Sequence, residues 1–525
     1  MVEQSKLSEG TVGSDGRGSN HSKSMPAFKK ERGPDRIHTG IAGLDDILGG
    51  GLPKGHLYLV EGDPGTGKTT LALQFLLEGI SQSERVIYVT LSESRAELEQ
   101  VAHSHGWPFE SLQIYEMVPP HDDLSSDAQY TVFHPSEVEL ADTITAILEQ
   151  VDECKPQRVV FDSLSELRML ARDPLKYRRQ ILALKRHFAG RNCTVLLLDD
   201  RTAEGSHDLQ LQSIAHGVVM MQSLERDFGI KRRRLEIRKL RGSSYREGFH
   251  DYIIETGGIS IFPRLIASEH KPGFERKTVP SGVEELDDLF GGGIDTGTST
   301  LFIGPAGCGK STVALRYAFS SALRGEKAVI FTFDEAVATL IERARGLGMD
   351  TAPLLANGTL EIQQIDPAEL APGEFVARVR RLVDKQHLRV LVLDSMNGFL
   401  NAMPHERFLA MQLHELLSYL GQQGVATILT LAQHGFIGNM ETPVDVSYLA
   451  DSVLLFRYFE HAGEIRQALS VIKKRSGPHE RAIRELVFAQ TGIQVGHPLK
   501  QFEGVLTGVP SFIGDLSEVR NSSAT

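Results

Sequence analysis

Short apolar runs alternate with amphipathic stretches along this chain, and the alternation occurs twice. In the first half, Leu57-Tyr58-Leu59-Val60, Val86-Ile87-Tyr88-Val89, Val159-Val160-Phe161 and Val195-Leu196-Leu197-Leu198 are compact apolar runs. The second half repeats them at Leu301-Phe302-Ile303, Ala328-Val329-Ile330-Phe331, Val390-Leu391-Val392-Leu393 and Thr427-Ile428-Leu429. Runs this short, with no polar residue alternating through them, predict strands covered on both faces of a parallel sheet. Residues 71–79 and 409–420 carry helical spacing instead and predict crossover helices. The expected fold is α/β, with two tandem domains, each a mainly parallel sheet flanked by helices.

The chain has 525 residues, more than one hydrophobic core usually supports, so two domains are expected on length as well. Residues 1–34 are rich in Gly, Ser, Lys and Arg with few apolar positions, and read as a disordered tail. The first domain is assigned to 35–265, where a strand reaches Pro263. A linker at 266–276 contains Pro272-Gly273; the second domain spans 277–502 and a tail 503–525.

Composition narrows the class. With 41% hydrophobic and 24% charged residues the chain reads as a soluble globular protein. No apolar run approaches the ~18 residues of a membrane span, and no signal-peptide core is present. Cys154, Cys193 and Cys308 lack metal-ligand spacing and are too few for a disulfide framework, so a reduced cytoplasm is expected. The net charge of −12 argues against nucleic acid as a partner.

The chemistry lies where an apolar run gives way to glycine. Gly62-Asp63-Pro64-Gly65-Thr66-Gly67-Lys68-Thr69 recurs 242 positions later as Gly304-Pro305-Ala306-Gly307-Cys308-Gly309-Lys310-Ser311. Both are complete G-x-x-x-x-G-K-[ST] phosphate loops, and a strand before and a helix after each argue against a merely structural turn. The repeat extends upstream, where Leu44-Asp45-Asp46-Ile47-Leu48-Gly49-Gly50-Gly51 matches Leu286-Asp287-Asp288-Leu289-Phe290-Gly291-Gly292-Gly293. The loops predict two ATP sites. Backbone N–H groups would close on phosphate oxygens, Lys68 and Lys310 would reach the β- and γ-phosphates, and Thr69 and Ser311 would ligate Mg²⁺.

Three further sets of residues follow. Asp162 and Asp394 each end a buried strand downstream of a loop. A strand-terminal Asp is also a common helix cap, but the pairing across the repeat assigns both to the magnesium shell. Ser92-Glu93 and Asp334-Glu335 follow the next strand, placing Glu93, Asp334 and Glu335 to orient or deprotonate an attacking group; an acidic helix start would look the same. The basic stretch from Lys231 to Arg241 reads either as an exposed strand with solvated charges or as cations aimed at a neighbouring subunit's phosphates. Lys473-Lys474-Arg475 stands in the equivalent place.

Both halves resemble the KaiC family, double-domain RecA-like P-loop ATPases of the bacterial circadian clock. The likeness is carried by T-G-[IV]-x-x-L-D-x-[IL]-x-G-G-G ahead of each loop, with Ser281 for the leading Thr in the second copy. It is carried also by Glu236-Ile237-Arg238-Lys239-Leu240-Arg241-Gly242 and Arg481-Ala482-Ile483-Arg484-Glu485. The resemblance implies a two-tiered homohexamer with ATP between subunits, slow hydrolysis in the first tier and Ser/Thr autokinase activity in the second. It places Lys239 and Arg241 at the adjacent subunit's nucleotide, with Ser104 and Ser243 nearby, and Lys473 and Arg475 likewise in the second tier. A KaiB-like or other signalling protein is the implied partner.

The chain also departs from that family. Asp334 stands where the family has the Glu that serves as base for autophosphorylation, keeping the carboxylate on a shorter arm. Ser92 replaces the corresponding Glu in the first domain, which weakens the case for hydrolysis there and leaves it to Glu93. The Ser-Thr phosphoacceptor pair falls on Ser447-Tyr448, with Thr442 matching a family Thr close by, so Ser447 is the phosphoacceptor candidate and a two-site cycle cannot run unchanged. Two readings remain: an ATPase with autokinase activity, and an ATP-dependent signalling scaffold with little phosphotransfer.

Overall fold

The computed structural model describes residues 35–117, 135–171, 173–201, 209–225, 229–270, 273–401, 409–433, 448–505 and 511–513. Each half is built on a nine-stranded sheet. In the first, six parallel strands run in the order Gln113–Glu116, Val86–Thr90, Arg158–Asp162, Thr194–Asp200, Leu57–Gly62, Gly217–Leu224. Three antiparallel strands, Arg232–Leu240, His250–Glu255 and Gly258–Phe262, extend the sheet. The second sheet repeats the order with Leu360–Gln364, Ala328–Thr332, Val390–Asp394, Ala426–Ala432, Ser299–Gly304 and Ser452–His461, then Glu464–Lys474, Arg484–Ala489 and Gly492–Pro498. The expected pair of α/β domains is therefore present.

The apolar runs have no polar face because both faces of each strand are buried. Tyr58 and Val60 join Phe75 and Leu76, from helix Lys68–Ser81, in one core. Leu57 and Leu59 point the other way, against Ile181 and Leu184 of helix Pro174–Phe188. Truncating a residue such as Phe75, fully buried, would cost about 3–5 kcal/mol.

Parallel strands bring their C-terminal ends to one edge, where α/β sheets hold ligands. The register sets Gly62 opposite Asp200 and Thr90 opposite Asp162. In the second sheet Gly304 stands opposite Ala432 and Thr332 opposite Asp394.

The structure revises three expectations. The basic stretch is a strand, Arg232–Leu240, but not one whose charges are all solvated. Arg232 is buried and reaches Asp251 at 3.2 Å, while Leu235, Ile237 and Leu240 enter the core. The stretch assigned to a tail begins as structure: Phe502–Glu503 pairs antiparallel with Ser511–Phe512, because Phe502 and Phe512 pack with His461 and Phe502 also meets Phe459. The start of the linker is not free either, since Ala267 is buried in the second domain's core and its N–H donates to Glu415 Oε2 at 2.9 Å.

Candidate functional site

Each phosphate loop joins a buried strand to a helix through glycines in left-handed backbone. Gly65 and Gly67 have φ of 78° and 90°, and Gly307 and Gly309 have 78° and 99°, a region that L side chains rarely adopt. Space excludes a side chain at the last glycine too. A Cβ on Gly67 would lie 2.6 Å from Ile254 Cδ1, and one on Gly309 2.3 Å from the Phe488 ring. The helices that follow, Lys68–Ser81 and Lys310–Leu323, open directly on the loop and turn their N–H-bearing ends toward it.

In the first domain Thr69 Oγ1 donates to Asp162 Oδ2 at 3.0 Å, and the Tyr88 hydroxyl donates to the same oxygen. Burial raises the Asp162 carboxyl above its ordinary value, opposed by those two hydrogen bonds. Lys68 Nζ donates to the carbonyls of Gly62 and Asp63 at 2.9 and 3.1 Å and lies 2.6 Å from Asp200 Oδ1. Glu93 is held by its backbone: its N–H donates to Thr90 Oγ1, whose hydroxyl donates back to the Glu93 carbonyl. Its side-chain Oε2 is buried with no hydrogen-bond partner. Burial, then the charges of Asp162, Glu97 and Asp200, push the Glu93 carboxyl up to about 7.

The second domain repeats the frame. Ser311 Oγ donates to Asp394 Oδ1 at 3.0 Å, and Thr430 Oγ1 donates to the same oxygen. Lys310 Nζ donates to Gly304 O and Pro305 O at 3.0 and 2.6 Å, with Cys308 Sγ 3.7 Å away, and burial lowers its pKa. Cys308 is itself fully buried at the Thr66 position. The peptide bonds Asp162–Ser163 and Asp394–Ser395 are both cis.

The carboxylates differ. Asp334 Oδ2 accepts the Ser395 hydroxyl at 2.5 Å. Glu335 repeats the backbone clasp of Glu93, with Thr332 in place of Thr90. Its two side-chain oxygens, however, accept Arg343 NH1 and NH2 at 2.7 and 2.8 Å. The first site also holds acids at its strand ends, where Glu61 pairs with Asp199 and Gly62 with Asp200, whereas the matching pairs of the second sheet are Ile303 with Leu431 and Gly304 with Ala432.

Of the remaining predicted residues, Lys239 and Lys473 lie on strands, Arg241, Ser243 and Arg475 just past strand ends, and Ser104 at the end of a helix. Lys239 donates to the Gln212 carbonyl at 2.5 Å and Arg241 to the Ser213 carbonyl at 2.7 Å, with Lys185 on Ile214. Burial and the neighbouring Arg241 and Lys185 lower the Lys239 pKa. Ser104 closes its helix by donating to Val101, and the Ser243 hydroxyl is buried. Lys473 donates to the Ala450 carbonyl, and Arg475 to that of Tyr448 while lying 3.7 Å from Asp451. Thr442 and Ser447 fall outside the described residues, and Tyr448, next to them, is exposed.

The oxygen donors at each loop, a hydroxyl and a carboxylate 3.0 Å apart, suit a hard divalent cation such as Mg²⁺. Asp200 and Arg343 escaped the sequence reading. Asp200 could have been found by extending the Val195–Leu198 run two residues; nothing in the sequence pairs Arg343 with Glu335.

The KaiC ATPase family model matches residues 37–266 and again 279–500. Among curated proteins, the chain is similar to the circadian clock oscillator protein KaiC of Parathermosynechococcus lividus, 29% identical over 493 residues, covering 92% of this chain and 89% of the relative. The KaiC of Acaryochloris marina is 27% identical over 498 residues, 93% of both chains. The circadian clock protein KaiC3 of Synechocystis sp. is 27% identical over 496 residues, 94% of this chain and 97% of the relative.

Proposed function

The chain belongs to the KaiC family of ATPases, with two tandem RecA-like domains, and from that premise we propose that both domains bind Mg²⁺-ATP and that the first hydrolyses it. What carries the reading is the matched contact beside each phosphate loop, Thr69 on Asp162 and Ser311 on Asp394, 3.0 Å in both. These residues would hold the Mg²⁺, which when bound draws charge from the phosphate oxygens. Loop N–H groups and Lys68 or Lys310 grip the phosphates. In the first domain Glu93 takes the proton of the attacking water: its Oε2 has no partner to give up, and a carboxyl near 7 is matched to neutral pH.

In the second domain Asp334, which accepts a hydrogen bond from the Ser395 hydroxyl, acts as base for a Ser substrate, with Ser447 the acceptor of an autokinase. The assembly is a cytoplasmic homohexamer in which Lys239, Arg241, Lys473 and Arg475 reach the neighbouring subunit's phosphates, and a KaiB-like protein is a partner. A second reading, an ATP-gated signalling scaffold with little phosphotransfer, is favoured by Tyr448 in the acceptor segment and by Glu335 being held. Incubation with γ-labelled ATP separates them. Label on the protein, lost in Ser447→Ala, supports the autokinase; phosphate release without protein label supports the scaffold; neither binding nor release overturns both.

A further inference from the structure

The two sites share a backbone frame, and among their differences is the ion pair that holds the second glutamate. Glu93 and Glu335 are clasped identically by Thr90 and Thr332, at 3.0 and 2.6 Å in one and 3.2 and 2.8 Å in the other. Each is followed by a ten-residue helix, Arg95–Ser104 or Val337–Gly346. Arg343 stands on the second helix where the repeat puts Val101 on the first. The Val101 side chain offers no polar atom, and Glu93 is left with a buried oxygen without a hydrogen-bond partner. Arg343 instead puts two N–H groups on Glu335, one on each oxygen.

That geometry decides what each glutamate can do. A carboxylate activates water through a lone pair aimed at the water proton. A bidentate guanidinium engages both oxygens, fixes the plane of the carboxylate and carries a charge that no physiological pH removes. The pair is partly shielded, with side-chain exposures of 32% for Arg343 and 23% for Glu335, so bulk water screens it less than a surface pair. Asp334 is the acid left to work in the second site, and it accepts the Ser395 hydroxyl.

Resting on the two-site ATPase reading, we propose that Arg343 is a positioning residue that withholds Glu335 from water and so restrains ATP hydrolysis in the second domain. The bound ATP is thereby kept for slower use, while the first domain, with valine at this place, turns its ATP over.

The test uses the full chain carrying Glu93→Gln, which isolates second-domain turnover. Adding Arg343→Met should raise kcat for phosphate release about 10-fold or more while KM for ATP stays within about two-fold, the range expected of one freed general base. Adding Glu335→Gln should remove the gain, and Arg343→Lys, which keeps the charge but loses the fork, should fall between. A misfolded variant cannot produce a gain. An unchanged or lower kcat in Arg343→Met, with ATP still bound, overturns this inference alone, as does a gain that survives Glu335→Gln. Failure of the parent Glu93→Gln chain to bind ATP in its second domain would overturn the nucleotide-site reading and this inference with it.

Discussion

Replacing Glu93 by Gln should abolish most of the first domain's turnover and remove its pH dependence. The change keeps side-chain shape and removes only the ability to accept a proton. Oε2 of Glu93 has no hydrogen-bond partner to lose, and the change relieves a carboxylate that burial and acidic neighbours disfavour, so the fold should be no less stable above about pH 7. A positioned general base contributes about 10²–10⁴-fold, equivalent to about 3–5 kcal/mol of barrier. The pH profile follows from the carboxyl lying near 7 through burial and its acidic neighbours. The ionised form is the active one, so turnover should fall about ten-fold per pH unit well below the midpoint and level off above it. Mg²⁺ beside Asp162 would draw the midpoint somewhat lower. Steady-state phosphate release at saturating Mg²⁺-ATP, from about pH 5 to 8, measures this in a Lys310→Ala chain, where the second site is disabled. A Glu93→Gln rate within two-fold of its parent, or an acid limb that persists in the variant, would refute the assignment of Glu93 as base.

Two other expectations follow from contacts found only in the folded chain. Asp200 lies 2.6 Å from Lys68 Nζ, so it competes with phosphate for the lysine and repels it. Asp200→Ala should tighten ATP binding at the first site roughly three- to ten-fold by calorimetry, since the carboxylate is about a third exposed and only partly screened; weaker binding would contradict the competition. Asp251 pairs with Arg232 inside the first domain and accepts the Gly373 N–H of the second at 2.7 Å. Asp251→Ala removes the carboxylate that the buried Arg232 and the Gly373 N–H both use and should cost about 2–3 kcal/mol, a fall in Tm of several degrees; a loss below about 1 kcal/mol would mean the pair is not stabilising.

Much of the frame could be read in the linear chain. Strands buried on both faces appear as unbroken apolar runs, and phosphate loops demand Gly and Lys at fixed spacing; Asp162 and Asp394 could be found because each ends such a run. What escaped depends on neighbours that only the fold supplies. Asp200 sits beside Lys68 because the strands Leu57–Gly62 and Thr194–Asp200 pair in a register that sets Gly62 against Asp200. Arg343 reaches back over two helical turns to Glu335, a geometry that the surface charge pattern of a helix does not announce. Arg232 is a related case, since the acid that pairs with it lies on the adjacent antiparallel strand.

The central claim is that two phosphate loops of the same pattern are joined to unequal carboxylates, so that one domain spends ATP and the other keeps it. The most direct measurement is the identity of the nucleotide each domain holds. Full chains carrying Lys68→Ala or Lys310→Ala would be incubated with Mg²⁺-ATP, freed of unbound nucleotide, and their bound nucleotide separated and quantified over time. The account predicts that the Lys310→Ala chain, relying on its first domain, converts its bound nucleotide to ADP and releases a matching amount of phosphate. The Lys68→Ala chain, relying on its second, should retain mostly ATP and release little phosphate, any ADP being matched by phosphate on the protein. Equal conversion in both chains, or faster conversion in the Lys68→Ala chain, would contradict it.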